Sequence, residues 1–271
     1  MADIHEIRGY YEGSAKSIYR SVSGATLHLG MVEPDDESHD IAHQRTKEFL
    51  LARLPQVSTE TVIFDLGAGF GDMARFLAHR LGCRVVGLNL VHSQNVLSRQ
   101  FNQEVGLDEQ VSAVEADFAR TPFPSDCAEI VWSQEAMLHA PDRSQVVNEA
   151  ARLLQPGGTF LFTDILQTGP MAAQEARLIF ERVKIDSLES FDSYKIYLQK
   201  AELQIEETVD LSGYVAPYYN ARVQEMMKQR AALAETTPPK FVHYTIEATQ
   251  RWVKAAAEGK LGWGLFVARK L

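Results

Sequence analysis

Hydrophobic residues change their spacing along the chain, and the change separates a helical start from an alternating middle. Residues 4–19 and 42–54 carry apolar positions at helical spacing, and Pro55 ends the second run. From residue 61 short apolar runs alternate with helical patterns. This pattern predicts strands over 61–66, 84–89, 111–115, 128–133 and 159–165, and helices over 71–82, 92–105 and 144–154. Strands separated by helices are typical of βαβ units and a parallel sheet.

The regular alternation of strands and helices ends after Asp164, where helical segments become more frequent than strands. The pattern predicts helices over 170–185, 190–203, 217–235 and 239–258, and strands over 205–211 and 261–269. Gln155-Pro156-Gly157-Gly158 predicts a turn before the strand at 159–165. We therefore predict an α/β fold with a doubly wound, Rossmann-like sheet of seven strands at residues 59–271. Cap insertions are expected near 168–186 and 213–258, and a helical segment at 1–58.

Composition and charge restrict the partners of the chain. Its 271 residues carry a net charge of −9, which argues against nucleic acid or an anionic membrane as the main partner. Cys83 and Cys127 lack metal-ligand spacing and imply neither a disulfide framework nor a zinc site. The sequence shows neither an apolar stretch long enough to span a bilayer nor a secretory signal. We therefore expect a cytoplasmic protein that acts on a small molecule, as a monomer or a homodimer.

A glycine-rich turn follows the first predicted strand. Val62-Ile63-Phe64-Asp65-Leu66 runs into Gly67-Ala68-Gly69-Phe70-Gly71, and a helical pattern begins at Asp72. Glycines at this position let a ligand approach the backbone, and the helix N-terminus faces the same place. The alternative is a tight strand-to-helix turn that binds nothing.

The spacing of the glycines in this turn argues against a dinucleotide as the ligand. The dinucleotide pattern is G-x-G-x-x-G, and Asp72 stands where its last glycine would be. A carboxylate at Asp65 would repel a pyrophosphate and attract a cationic or hydroxyl-rich ligand. The second strand ends at Asn89, where a nicotinamide dehydrogenase would need an acid. A dehydrogenase is therefore disfavoured.

Polar residues follow the next three strands, each at a place where a parallel sheet binds its ligand. Asn89 can pair with two ribose hydroxyls, or can be an ordinary turn residue. Asp117 and Phe118 follow the third strand, where the aspartate can bind an adenine amino group or simply cap a helix. The segment after the fourth strand contains Ser133, Gln134 and His139. His139 can orient a substrate or accept a proton, or it can pack against its loop with a hydrogen bond to Asp142.

These motifs together resemble the sarcosine/dimethylglycine N-methyltransferases, a branch of the class I methyltransferases that depend on S-adenosylmethionine (SAM). The likeness extends from Thr26-Leu27-His28-Leu29-Gly30 to Gly262-Trp263-Gly264-Leu265-Phe266. It implies a sheet whose last strand is antiparallel, and SAM as cofactor. The residues expected to bind SAM are Asp65, Gly67, Ala68, Gly69, Gly71, Asn89, Leu90, Gln94, Asp117, Phe118, Ser133, Gln134 and His139.

The resemblance also implies how the reaction is arranged. The segment at 1–58 would close over the donor methyl, and Tyr11 and His28 join His139 as candidate catalytic residues. Tyr11 can instead pack a helix, and His28 can be a turn residue. A carboxylate-bearing acceptor would need a cation, for which the first insertion offers Arg177, Arg182 and Lys184.

Three classes of function remain after this reading. The resemblance favours N-methylation of a small amino acid such as sarcosine or dimethylglycine. An O- or C-methyltransferase of a specialised metabolite would use the same core with another acceptor. A SAM-binding protein without catalysis would bind the cofactor and transfer nothing.

Overall fold

The computed structural model describes residues 28–34 and 38–271, and its elements follow the hydrophobic pattern. The strands are β1 (Val62–Leu66), β2 (Arg84–Asn89), β3 (Val111–Glu115), β4 (Ala128–Gln134), β5 (Leu154–Gln167), β6 (Leu203–Asp210) and β7 (Leu261–Lys270). The first six helices are α1 (His39–Leu51), α2 (Asp72–Leu81), α3 (His92–Glu104), α4 (Arg143–Leu153), α5 (Ala173–Phe180) and α6 (Phe191–Lys200). They are followed by α7 (Val215–Lys228), α8 (Arg230–Thr236) and α9 (Pro239–Ala257). The helix predicted over 4–19 lies outside the described residues.

The seven strands form one sheet in the order β3-β2-β1-β4-β5-β7-β6. Pairing is parallel between β1 and β2, β2 and β3, β1 and β4, and β4 and β5. The last strand, β7, is antiparallel and lies between β5 and β6. The predicted doubly wound sheet with an antiparallel last strand is thus confirmed. The strand order reverses between β1 and β4, and parallel sheets bind ligands beyond the carboxyl ends of strands at such a reversal.

The central strands are apolar because helices cover both faces of a parallel sheet. Ile63 and Leu66 of β1 and Val131 and Trp132 of β4 are fully buried. Such strands bury nearly every side chain, so a polar residue among them has a specific partner or function. Asp65 is that exception on β1, where it pairs with Gly87 of β2 and Trp132 of β4 in the strand register.

The turn predicted at residues 155–158 is a bulge inside β5. The register to β4 pairs Ala128 with Leu154 and then Ile130 with Thr159, so the residues between them have no regular partners. Gly157 takes a φ of 80°, and a Cβ on Gly158 would lie 3.0 Å from the Glu129 carbonyl oxygen. Proline and glycine therefore kink the strand here without ending it.

The described chain divides into two compact units. The first contains the described residues up to Thr46 together with Ile165–Ser190 and Asp210–Gly264. Its helices α7, α8 and α9 enclose a core of Val223, Met226, Leu233, Val242 and Ile246. The single helix predicted over 217–235 is two helices, because Gln229 leaves the helical conformation between α7 and α8.

The second unit contains Lys47–Asp164, Phe191–Val209 and Leu265–Leu271 and so holds most of the sheet. The boundary expected near residue 58 and the closing role of the segment before it stay predictions. Within residues 28–34 and 38–271, none of the helices combines the length and apolar character needed to cross a membrane.

Candidate active site

The glycine turn links β1 to α2 through three left-handed residues. Gly67, Gly69 and Gly71 have φ values of 88°, 54° and 74°, which side chains with a Cβ rarely adopt. The N–H groups of Gly67 and Ala68 both donate to the Leu88 carbonyl, at 2.8 and 3.0 Å. These bonds fix the turn against the end of β2, next to the reversal of the strand order.

The space beside two of these glycines is filled by protein. A Cβ on Gly67 would lie 2.2 Å from the Ala136 Cβ, and one on Gly71 would lie 2.3 Å from the Ser98 Oγ. The sequence suggested that the missing side chains leave room for a ligand. At these two positions they also let the segment after β4 and helix α3 approach the turn. A side chain at residue 67 would therefore displace the loop that carries His139.

The end of β1 holds a buried carboxylate. Asp65 is 2 % exposed, although it lies only two residues before the glycine turn. A buried negative charge is stabilised by a positive ligand and opposes an anionic one. Its position therefore suits a ligand that carries positive charge.

Asn89 ends β2, and both hydrogens of its side-chain amide point into the protein. Its Nδ2 donates to the Gly69 carbonyl at 3.3 Å and to Gln94 Oε1 at 2.9 Å. The Gly69 oxygen can only accept, so it fixes the amide orientation of Asn89, and Gln94 must then present its oxygen. Asn95 Nδ2 donates to the Asn89 carbonyl at 2.9 Å and holds the backbone of the same residue. This leaves the Asn89 Oδ1 as the atom that can accept a hydrogen bond from a ligand hydroxyl.

Two further candidates lie at neighbouring strand ends. Phe118 is buried, and its Cε1 would lie 3.7 Å from a Cβ on Gly67, so the ring borders the glycine turn. Asp117 accepts a 2.9 Å bond from the Ala119 N–H, which forms a local turn and leaves the carboxylate half-buried. Leu90 is half-buried directly after β2.

The end of β4 is tied to the end of β1 across the reversal. Ser133 Oγ donates to the Leu66 carbonyl at 2.8 Å, and Gln134 Oε1 accepts from Trp132 Nε1 at 3.2 Å. Both residues were predicted to face the cofactor. Ser133 is fully buried, and its hydroxyl hydrogen joins the two strands. The next residue, Glu135, is half-buried and takes a φ of 42°.

His139 ends a short 3₁₀ helix, Met137–His139, after β4. Burial is the main cause that lowers its pKa to about 4, and the charge of Arg143 adds to it. The imidazole is therefore neutral at pH 7. Asp142, which one of the two alternatives for His139 named as its hydrogen-bond partner, caps α4: its Oδ1 accepts bonds from the N–H groups of Ser144 and Gln145.

The remaining candidates lie in other parts of the chain. Tyr11 lies outside the described residues. His28 belongs to the first unit, where its carbonyl accepts a 2.9 Å bond from the Tyr218 hydroxyl. All of the residues predicted to bind the cofactor belong to the second unit.

Sequence reasoning missed the residues that support the segment after β4. No role was assigned to Glu135, Ala136 or Thr163 on the basis of the sequence. Glutamate is not a residue type that signals a left-handed φ, so the conformation of Glu135 could not be predicted from its residue type. Only the pairing of β4 with β5 brings Thr163 beside it.

The strand order, the glycine turn and the polar residues at the strand ends define a class I SAM-dependent methyltransferase. Residues 64–162 match the family model described as a methyltransferase domain. The chain is 32 % identical to a sarcosine/dimethylglycine N-methyltransferase of Halorhodospira halochloris, over 98 % of this chain and 96 % of that protein. It is 34 % identical to a glycine/sarcosine/dimethylglycine N-methyltransferase of Actinopolyspora halophila, of which it spans 47 %.

The solved structures agree with the sequence comparison. A crystal structure of a candidate sarcosine dimethylglycine methyltransferase from Galdieria sulphuraria has a TM-score of 0.90 and 27 % identity. That likeness covers 96 % of this chain and 98 % of the other. The chain belongs to the family of the sarcosine/dimethylglycine N-methyltransferases, and it is a SAM-dependent methyltransferase.

Proposed function

We propose that this enzyme transfers a methyl group from SAM to the amine nitrogen of a small amino acid, with sarcosine and dimethylglycine as the first candidates. The observation that carries the proposal is the likeness to the N-methyltransferases over 98 % of the chain. It extends well beyond the domain at residues 64–162 and so includes the segments outside the cofactor site. Acceptor choice in an α/β enzyme depends on such segments more than on the sheet.

The residues of the second unit fit SAM. The glycine turn offers a close backbone approach, Phe118 offers an apolar ring beside it, and Asn89 offers an acceptor oxygen for a ribose hydroxyl. Asp65 supplies a buried negative charge for a cofactor whose methionine part is positively charged. SAM supplies a methyl group on a sulfonium, which is already activated for displacement. The protein therefore has to align the nitrogen, the methyl group and the sulfur, and to exclude water.

We assign His139 an orienting role with the imidazole neutral. A pKa of about 4 makes it a weak base for the proton of an ammonium group. A neutral imidazole still donates one hydrogen bond and accepts another. This favours the hypothesis of an orienting residue over that of the base.

Arg182 is the best candidate among the three cations that the first insertion offers for an acceptor carboxylate. Arg177 and Lys184 are exposed, whereas Arg182 is 8 % exposed. Its guanidinium lies 5.0 Å from the Tyr219 ring centre and 4.9 Å from that of Trp252, and its Nε donates to Thr249 Oγ1 at 3.3 Å. Because solvent screens a buried charge weakly, it attracts a carboxylate more strongly than an exposed one does.

The proposal also covers the partners of the enzyme and its location in the cell. The net charge of −9 opposes binding to nucleic acid and supports a small-molecule acceptor. A cytoplasmic location and a monomeric or homodimeric state complete the proposal.

An acceptor panel with methyl-labelled SAM tests the proposal. We expect transfer to sarcosine or dimethylglycine, with phenols, sugars and other hydroxyl compounds unlabelled. Transfer only to oxygen or carbon would instead identify an O- or C-methyltransferase. Binding of S-adenosylhomocysteine (SAH) without transfer to any acceptor would indicate a protein that binds SAM without catalysis.

A further inference from the structure

Glu135 has an unusual backbone conformation at the centre of the site. Four residues other than glycine have a positive φ among the residues that the structure describes: Asp126, Glu135, Lys184 and Glu202. All four lie in turns or bends between elements. Glu135 differs from the other three in its place, because it follows β4 at the strand-order reversal where a parallel sheet binds its ligand. A strained residue at such a place is held there by its surroundings and often serves the ligand.

A single residue of β5 fixes both the peptide and the side chain of Glu135. The Glu135 N–H donates to the Thr163 carbonyl at 2.9 Å, and the Thr163 hydroxyl donates to Glu135 Oε1 at 2.5 Å. Thr163 is fully buried and therefore has little freedom to move. The carboxylate is consequently held in one orientation beside the edge of the sheet.

The next residue ties this geometry to the glycine turn. The Ala136 Cβ occupies the space where a Cβ on Gly67 would be. This packing brings the peptide after Glu135 against the turn that would hold SAM. Glu135, which is half-buried, therefore lies at the same edge of the sheet as the candidate cofactor turn.

The proposed reaction requires a negative group near the nitrogen of the acceptor. An amine in water is mostly protonated, and positive charge passes from the sulfur to the nitrogen during transfer. A carboxylate fixed beside the nitrogen stabilises the charge as it develops there, without reorganising. Ser133 and Gln134, the preceding residues, use their side chains to hold the strands together and carry no charge.

We propose that the Glu135 carboxylate binds the amino group of the acceptor; this inference rests on the proposed function. The bound ammonium gives up its N–H proton to water and regains a lone pair, while the carboxylate stays negative beside the nitrogen. That lone pair forms the new N–CH₃ bond while the S–CH₃ bond breaks and its electron pair stays on sulfur. For dimethylglycine the product is a quaternary ammonium, whose positive charge lies beside the negative carboxylate.

The variant Glu135→Gln tests the charge while keeping the length of the side chain. We expect kcat/KM for the amine acceptor to fall at least tenfold, mainly through a higher KM, with SAH affinity within twofold of wild type by calorimetry. Calorimetric titration of the acceptor into the SAH complex should show the same loss. An unchanged KM and an unchanged acceptor affinity would overturn the inference and leave the proposed function standing.

Two substitutions to glycine separate the effect of backbone strain from the effect of the charge. They also show whether a loss of activity comes from misfolding. Glycine accepts a positive φ freely, so the melting temperature of Glu135→Gly should be no lower than that of Glu135→Gln. Both variants should lose the same affinity for the amine acceptor. Glu202, which lies between α6 and β6, is the matched control: Glu202→Gly relieves the same kind of strain and should keep wild-type kcat/KM. Full activity of Glu135→Gly toward the amine would overturn the inference. A wild-type enzyme that methylates only uncharged acceptors would overturn the proposed function itself.

Discussion

At the scale of single residues, hydrogen bonds inside the protein decide which atom of Asn89 can contact a ligand. Both hydrogens of its amide are used inside the protein, toward Gly69 and Gln94. The residue type alone suggested an amide that pairs with two hydroxyls. The structure leaves only its oxygen for that purpose, and we propose that Gln94 positions the Asn89 amide.

Replacing Asn89 with aspartate is expected to weaken the cofactor site. The new carboxylate would face the Gly69 carbonyl, and two acceptors at that distance repel each other. We expect SAH affinity to fall by about 1–2 kcal/mol, or roughly tenfold, as measured by calorimetry. Asn102→Asp is the control. It also removes a hydrogen bond from Nδ2 to a carbonyl, that of Val111, but Asn102 lies in helix α3 and is not a candidate cofactor residue. It should lower stability and leave SAH affinity unchanged. Tighter SAH binding by Asn89→Asp would contradict this account.

The neutral state of His139 predicts how stability depends on pH. Its pKa is about 4 in the folded enzyme and 6.5 in a free histidine, so the unfolded chain binds a proton first as the pH falls. His139 therefore adds no pH dependence above about pH 7 and destabilises the fold as the pH falls from 6.5 toward 4. The free energy of unfolding therefore decreases between pH 7 and pH 4.5, and we expect His139→Gln to reduce this decrease by about 2 kcal/mol, as measured by urea unfolding at the two pH values.

An exposed histidine provides the comparison for that measurement. His243 lies on the surface of α9, and His243→Gln should keep the wild-type pH dependence. Equal pH dependence in wild type and His139→Gln would show that His139 is not held neutral by its surroundings.

At the scale of elements, strands were predicted more accurately than the ends and breaks of helices. The run Val62-Ile63-Phe64 and the glycines after it specify β1 and its turn locally, so the sequence was sufficient there. The bulge at residues 155–158 depends on the pairing of β5 with β4, and proline and glycine signal a turn equally well. The break at Gln229 has no proline or glycine to announce it.

The helices of the first unit carry a prediction about acceptor binding. Arg182 follows α5, lies against rings from α7 and α9, and is proposed to bind the acceptor carboxylate. We expect Arg182→Gln to raise the KM for the amino acid by about tenfold to a hundredfold, because an ion pair is replaced by a neutral contact. SAH affinity should stay unchanged, since Arg182 is not among the candidate cofactor residues.

Arg177 supplies a matched control for that variant. It is an exposed arginine on α5 of the same insertion, so Arg177→Gln should keep the wild-type KM. Melting temperatures of both variants show whether lost packing of Arg182 explains a change. A stable Arg182→Gln enzyme with the KM of wild type would exclude Arg182 as the carboxylate site.

At the scale of the whole molecule, the class of enzyme was predictable and the detailed chemistry of the site was not. The spacing of strands and glycines predicted the sheet, and the polar residues at the strand ends predicted SAM. Both conclusions are confirmed by the strand order and the relatives. The left-handed Glu135, its bond to Thr163 and the amide partners of Asn89 depend on contacts between distant segments, which spacing along the chain does not encode.

Labelled SAM distinguishes methyl transfer to the nitrogen of dimethylglycine from transfer to oxygen or carbon. The enzyme is incubated with dimethylglycine and SAM labelled with ¹³C at the methyl group, and the product is examined by NMR and mass spectrometry. We predict one labelled methyl group on nitrogen, in a trimethylammonium product, together with an equal amount of SAH. A dimethylglycine pool that stays unlabelled, while the same enzyme places the label on oxygen or carbon of another acceptor, would contradict the account.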